Sequence, residues 1–402
     1  MNQNQETIEA DLRGLLEGEV RCDDVFVEMF SSDASIYAIK PLGVVRPRHE
    51  DDVSACVQYA ADNQLAIHAR GAGTGLAGGA LGAGLVLDFS HFMRRIVDDQ
   101  EETVTVQPGV TLAQLNRHLA ERGRHFGPVP ATHEVTTLGG MLAVDASGSH
   151  WLEYGSVRRH VESLRVVLAD GSRADFSANS PIENSVPADG TSRSAQLTRE
   201  IGKLLERDSA FISNHVPQTR VNNCGYCIHD VFKANRVNFP RLLVGSEGTL
   251  ALIVEATLRT QPLPSYRNVA LLLFDRLENA ALAALEMPSM GASACDLMDR
   301  RLLTLARETN VHFDLLIPSD TEAVLLVEAE GDDLVQVRDV IDRMIDRVRR
   351  RRRLAFGARV ASDAFEFELF WQLARQVVPS LYRLTGTSRP LPFIEDAAIP
   401  PE

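Results

Sequence analysis

Apolar positions along the chain change period several times, and each change marks an element. Residues 8–16 carry a weak helical pattern, followed by a loop. From Val44 the pattern is regular: Val53, Cys56, Val57 and Ala60 recur at helical spacing. Glu50, Asp51 and Asp52 stand at the start of that segment, where a helix dipole favours negative charge. A short strand over 65–69 runs into a stretch of glycines, and a second strand follows over 85–88. Residues 103–106 alternate as a half-buried strand does. Pro108-Gly109 marks a turn, and Thr111 with Gln114 forms a capping box. The helix it opens has Leu112, Leu115 and Leu119 on its inner face and Gly123 as its stop. Apolar runs on either side of Asp170-Gly171 predict a hairpin. Residues 177–195, rich in Ser, Asn, Pro and Gly, predict a loop or lid. Leu242–Val244 and Leu252–Val254 flank a second glycine-containing turn.

After Pro262-Leu263-Pro264 the texture changes. Strands are predicted over 269–274, 294–298 and 321–328, with helices over 277–287, 332–347 and 363–377. Strands and helices mix without the steady alternation of a doubly wound sheet, which gives an α+β class. The expected division is an N-terminal extension over 1–36, one domain over 37–264 and another over 265–402.

Composition narrows the function. Lys and Arg number 41 against 55 Asp and Glu, a formal charge of −14, which argues against a nucleic-acid partner. The N-terminus lacks the basic and apolar regions of a secretory signal. No apolar run approaches the roughly 20 residues of a bilayer span. The five cysteines are odd in number and scattered, so no disulfide framework is implied. The default location is cytoplasmic. Cys224 and Cys227, with His229 nearby, form a C-x-x-C, but a structural zinc site needs a second ligand pair. The pair is therefore read as loop packing, and no metal site is expected. Arg349 to Arg353 is read as a solvated helix end, with a docking patch for an acidic partner as the sharper alternative.

Gly73-Thr74-Gly75-Leu76-Ala77-Gly78 matches the dinucleotide pattern G-x-G-x-x-G. The Rossmann version must open a helix. Here Gly79, Gly82 and Gly84 follow, each costing about 1 kcal/mol in a helix interior, and then a strand. Rossmann is rejected. A strand–glycine loop–strand unit still suits phosphate, because successive N–H groups freed of side-chain bulk form an anion nest. A plain glycine-rich turn explains the loop equally well. Arg70 either adds charge there or serves as a structural ion-pair partner.

Two later stretches decide between these readings. They are Thr136-Thr137-Leu138-Gly139-Gly140-Met141, continuing through Gly155, and Leu243 to Leu250 with its Gly-Ser-Glu-Gly centre. With all three motifs in order from about Pro41 to Pro264, the chain resembles the vanillyl-alcohol oxidase/p-cresol methylhydroxylase (PCMH) flavoproteins. Within them it looks most like the branch of glycolate oxidase large subunits, FAD-linked D-lactate dehydrogenases and D-2-hydroxyglutarate dehydrogenases. The resemblance implies a two-subdomain PCMH-type FAD-binding domain, followed by a ferredoxin-like cap domain that is incomplete here. It assigns the FAD pyrophosphate to Arg70, Gly71, Ala72, Gly73, Thr74 and Gly75. The flavin and ribityl chain fall to Thr137, Gly139 and Gly140, and the rest of the cofactor to Gly155, Glu247, Gly248 and Ile253.

The same resemblance implies hydride transfer from a D-2-hydroxy acid such as D-lactate, glycolate or D-2-hydroxyglutarate to flavin N5. Electrons would pass to a separate acceptor, an iron–sulfur subunit or a quinone-linked carrier. The family helix that binds the substrate carboxylate reads Trp-x-Leu-Arg, whereas this chain has Trp371-Gln372-Leu373-Ala374-Arg375. One position turns a helix by about 100°, so Arg375 either still reaches the pocket or is an exposed helix charge. The family's G-H-x-G-D-G-N-x-H segment, which supplies metal ligands and base, has no counterpart here. The expectation is a truncated or split version of the enzyme, and the alternative is an FAD-binding subunit that needs a partner carrying that segment.

Relatives with covalent flavin carry a His where this chain has Thr74. A hydroxyl cannot form the histidyl link, so FAD is expected to be non-covalent. Acid precipitation of the FAD-loaded chain should leave the yellow colour in the supernatant; colour retained in the pellet after washing in denaturant would show a covalent bond.

Overall fold

The computed structural model describes residues 3–182, 192–216, 219 and 225–375. Cys224, residues 183–191 of the expected 177–195 loop and the chain after Arg375 lie outside the described residues; the end of that loop is instead helical, since Ser192 caps a helix over Arg193–Arg207.

The first sheet has four strands in the order Glu19–Arg21, Gly43–Arg46, Leu85–Asp88, Ile67–Arg70. The first pair is antiparallel and the other two pairs are parallel, with Val44 opposite Val86 and Arg70 opposite Asp88. The helix Glu50–Asp62 covers it, burying Val53, Cys56, Val57 and Ala60, the positions the helical spacing singles out. Ile8 and Leu12 of the helix Gln3–Leu15 enter the same core as Leu85 and Leu87. Residues before 37 thus form part of this layer. In place of the loop expected after residue 16, there is a strand and then a short helix, Asp24–Met29, capped by Asp23. Their brevity hides any period.

The second sheet is antiparallel, in the order Ile96–Asp99, Thr103–Val106, Leu252–Arg259, Val161–Val167, Arg173–Ser177. The hairpin around Asp170-Gly171 forms as expected. Leu252–Arg259 alternates buried and less buried positions along its length, and it returns from far along the chain to the centre of the sheet. Val104, Leu164 and Leu258 meet Leu115, Leu119 and Met141 on the inner face. Residues 239–243 form a short helix where the sequence suggests only an apolar run beside a turn. Asn238 caps it through the Arg241 N–H, and Pro240 sits in its first turn.

The third sheet is antiparallel, ordered Ala294–Asp299, Ala323–Gly331, Tyr266–Phe274, Gly357–Val360. Apolar clusters lie on both of its faces. Leu272, Phe274 and Leu325 pack with Ala280, Ile341 and Met344 on one side. Leu271 and Leu326 pack with Leu303, Phe313 and Trp371 on the other. This explains why residues 269–274 and 323–327 are apolar at consecutive positions, without a period of two. The architecture is α+β, with two sheet-based layers before residue 264 and one after it.

Leu85, fully buried in the strand that follows the glycine loop, tests the first core. Leu85→Ala should cost about 2–5 kcal/mol in denaturant unfolding, whereas Val97→Ala, at an exposed position, should stay within about 0.5 kcal/mol.

Candidate functional site

The glycine loop is the connection between two adjacent parallel strands, Ile67–Arg70 and Leu85–Asp88. Such a connection is normally a helix. Here residues 71–84 contain none. The N–H groups of residues 71–75 donate to none of the hydrogen bonds found among the described residues. Gly73 has φ +68, and a Cβ there would come within 2.8 Å of the Arg70 guanidinium. A Cβ on Gly71 would lie 2.1 Å from the Thr137 hydroxyl oxygen, whereas Gly75 faces open space.

Thr137 caps the helix Leu138–Val144, its hydroxyl accepting from the Gly140 N–H at 3.3 Å. Gly139 is there for clearance, since a Cβ would stand 2.6 Å from the Pro108 Cβ. The end of the strand Ile67–Arg70, this helix and the segment 246–253 line an open cleft. Of the residues singled out by sequence, Arg70, Gly71, Thr137, Gly139, Gly140, Gly248 and Ile253 line it. Ala72, Gly73, Thr74 and Gly75 continue the loop beyond these lining positions. The Thr74 hydroxyl stands 3.4 Å from that of Thr136. Glu247, in a left-handed conformation beside Gly248, donates its N–H to the Ala143 carbonyl at 2.9 Å. Gly155 is not among the residues lining the cleft, and a Cβ there would meet the Arg159 side chain.

Arg70 forms no ion pair among the described residues. Its guanidinium donates to the Phe30 and Ser32 carbonyls at 3.2 and 2.8 Å, and burial lowers its pKa. The Ala34 N–H donates to the Gly73 carbonyl at 2.9 Å. The segment around 30–34 therefore braces the loop through Arg70 and Gly73 without using the amides of 71–75. Phe89, Pro108, Ala143, Leu243, Ser246, Ala251 and Leu252 also line the cleft. Leu243 and Ser246 belong to the third motif, and Pro108 is marked in the sequence only as a turn. Phe89 and Ala143 carry no sequence signal.

A second polar constellation joins residues 149–154 to the third sheet. The Ser149 hydroxyl donates to Asp296 at 2.5 Å, and the Tyr154 hydroxyl donates to Glu330. Glu328 meets His150 Nε2 at 3.0 Å, Arg267 Nε at 2.9 Å and Trp371 Nε1 at 2.7 Å. Burial pushes Glu328 up, but its bond to His150 and the charge of Arg267 outweigh that and hold it low. Burial raises Asp296 and Glu330. Sequence reasoning misses this group, since its members lie far apart in the chain.

Arg375 lies over the Trp371 ring, 5.5 Å from its centroid, and 3.6 Å from Glu368. Trp371 in turn stacks on His150. Arg375 thus stands one ring away from the junction and outside the cleft lined by Thr137. Cys227 is buried with His229 Nδ1 3.6 Å from its sulfur. In the arginine run, Arg351 and Arg352 pair with Asp346 and Glu286, as a solvated helix end does.

The cleft can accept a group bearing phosphate. Donors without partners, a floor kept clear of Cβ atoms and an apolar far wall suit a dinucleotide that ends in a flat ring. Comparison with known proteins agrees. Residues 41–177 match the FAD binding domain family, and residues 263–402 match the C-terminal domain of FAD linked oxidases. D-2-hydroxyglutarate dehydrogenase of Pantoea ananatis is 32% identical over 92% of this chain and 38% of that protein. Glycolate oxidase subunit GlcD of Bacillus subtilis is 27% identical over 92% of this chain and 68% of that protein. Alkyldihydroxyacetonephosphate synthase shares the fold with a TM-score of 0.63 at 17% identity, over 93% of this chain and 64% of that one. The fold is that of a PCMH-type flavoprotein whose cofactor is FAD. The chain is an FAD-binding oxidoreductase of the PCMH type that resembles the D-2-hydroxyglutarate dehydrogenases and glycolate oxidase subunits. It spans 38% of the length of the Pantoea relative.

Gly71→Ala should displace the Thr137 hydroxyl and with it the helix cap. Titration of the apo-chain with FAD should show at least about tenfold weaker binding, equivalent to about 1.4 kcal/mol. Gly14→Ala, in the helix Gln3–Leu15 and with open space around it, should change binding by less than about threefold, or about 0.6 kcal/mol.

Proposed function

We propose that the chain oxidises a D-2-hydroxy acid, with D-lactate, glycolate and D-2-hydroxyglutarate as the candidate substrates, and that it holds FAD non-covalently. The observation that supports this reading most is the run of amides at 71–75 without internal partners, beside the Thr137 helix and the 246–253 segment. In this reading those amides receive the pyrophosphate, with Ala72, Gly73, Thr74 and Gly75 extending the contact beyond the cleft wall. Thr137, Gly139 and Gly140 lie along the ribityl chain, while Gly155, Glu247, Gly248 and Ile253 border the rest. Bound FAD supplies the hydride acceptor, N5.

The chain's own part is to bind the substrate carboxylate, orient the α-carbon hydrogen and keep water out. Arg375 is the cation proposed for the carboxylate. Its side chain is 30% exposed, and its contact with Glu368 is a loose 3.6 Å, so the guanidinium can turn to an anion. Relatives named as a glycolate oxidase subunit make an external electron acceptor a reasonable partner, an iron–sulfur protein or a quinone-linked carrier. No helix among the described residues is long and apolar enough to cross a membrane.

Anaerobic addition of each of the three acids to the FAD-loaded chain should bleach the visible flavin absorption with at least one of them. Arg375→Ala should raise the half-saturating concentration about tenfold or more, in keeping with about 1.5–3 kcal/mol for a hydrogen bond to a charged group, with partial recovery in Arg375→Lys. Bleaching by none of the acids contradicts the substrate class while leaving FAD binding intact.

A further inference from the structure

The buried constellation at the 149–154 junction takes no part in the FAD cleft, and its charges do not balance. Among the described residues, Glu328 and Glu330 both pair with one permanently charged cation, Arg267, while Asp296 adds a further carboxyl beside Glu328. Glu328 is fully buried, and His150 is 4% exposed. Burying carboxylates without matching positive charge is costly.

The geometry is that of a chelate. One donor atom each from His150, Glu328 and Glu330 lie within 4.8 Å of one another. His150 Nε2 and Glu328 Oε1 are 3.0 Å apart. Two ligands bonded to one ion at about 2.1 Å stand about 3.0 Å apart at right angles and about 3.4 Å apart at the tetrahedral angle that zinc prefers, so a small shift of the imidazole admits zinc. His150 Nδ1 has no hydrogen-bond partner among the described residues. It can therefore carry the ring proton, leaving the Nε2 lone pair for an ion, as a ligating imidazole requires.

Arg267 satisfies the site poorly. Its Nη2 lies 2.8 Å from the same His150 Nε2 that approaches Glu328. A neutral imidazole nitrogen either donates to the carboxylate or accepts from the guanidinium, and cannot do both. Arg267 is also 36% exposed and rests on the Phe367 ring, which gives it a way out to solvent.

We infer that His150, Glu328 and Glu330 bind one divalent transition-metal ion in competition with the Arg267 guanidinium. One nitrogen and two carboxylates favour Zn2+ over Mn2+, and both over Mg2+. The ion ties the segment Trp151–Tyr154, which leads into Gly155, to the sheet strand Ala323–Gly331. The site is independent of the hydroxy-acid reading.

The test is equilibrium dialysis of the FAD-loaded, chelator-stripped full chain against Zn2+, Mn2+ or Mg2+, with bound metal measured by mass spectrometry. One Zn2+ per chain is expected, with Mn2+ weaker. His150→Asn and Glu330→Gln should each weaken Zn2+ binding about tenfold or more, as losses around metal sites do. Arg267→Gln should strengthen it severalfold, an effect that a purely structural ion pair does not produce. FAD content of each variant reports whether it is folded, and the Arg267→Gln result stands even where His150→Asn does not fold. Absence of a stoichiometric ion in both the parent and Arg267→Gln overturns the inference. So does Zn2+ binding that Glu330→Gln leaves unchanged, since the ion would then sit elsewhere.

Discussion

The site depends on a parallel crossover made without a helix. Strands Ile67–Arg70 and Leu85–Asp88 lie side by side and point the same way, so the chain between them must return the full length of the strand. A helix would satisfy its own amides. A glycine-rich loop does not, and the N–H groups of 71–75 donate to no other group among the described residues. The neighbouring structure accommodates that loop: residues 30–34 brace it through Arg70 and Gly73, and Thr137 stands against Gly71. Unsatisfied amides are a cost to the fold and become a resource once an anion is bound.

The junction with the third sheet shows the opposite use of polar groups. There hydroxyl, imidazole, indole and guanidinium donors converge on buried carboxylates, and each of these hydrogen bonds joins residues more than forty positions apart. Truncating one member of such a network leaves another buried and unpaired. The junction is therefore sensitive to mutation even where it does not touch the cofactor. Its position next to Gly155 links the geometry of the last sheet to that of the segment beside the cleft.

Much of this is legible in the sequence, for physical reasons. The helix Glu50–Asp62 and the helix capped by Thr111 carry clear periods and end signals, and both form where expected. The two strands around the glycines follow from the cost of glycine in a helix, which by itself excludes a Rossmann unit. Seven of the residues marked for FAD meet in one cleft, because local motifs with special backbone needs mark themselves. What stays hidden depends on long-range contact. Nothing in the N-terminal segment announces that Phe30 and Ser32 will accept from Arg70. No spacing connects His150 to Glu328. The helix over 239–243 is too short for a period and is visible only through its Asn-Phe-Pro start. Helical geometry alone does not settle where Arg375 points; its place over Trp371, one ring from the junction, comes from tertiary packing.

In the proposed function, three separate stretches of chain, one around 71–75, one around 137–140 and one over 246–253, act together as a single cofactor cradle. Amide hydrogen exchange of the apo-chain with and without FAD measures this directly. FAD is expected to slow exchange in all three stretches together, most strongly at the amides of 71–75. Protection confined to one stretch, or found on the outer face of the antiparallel sheet while 71–75 exchanges as before, would contradict a shared cradle.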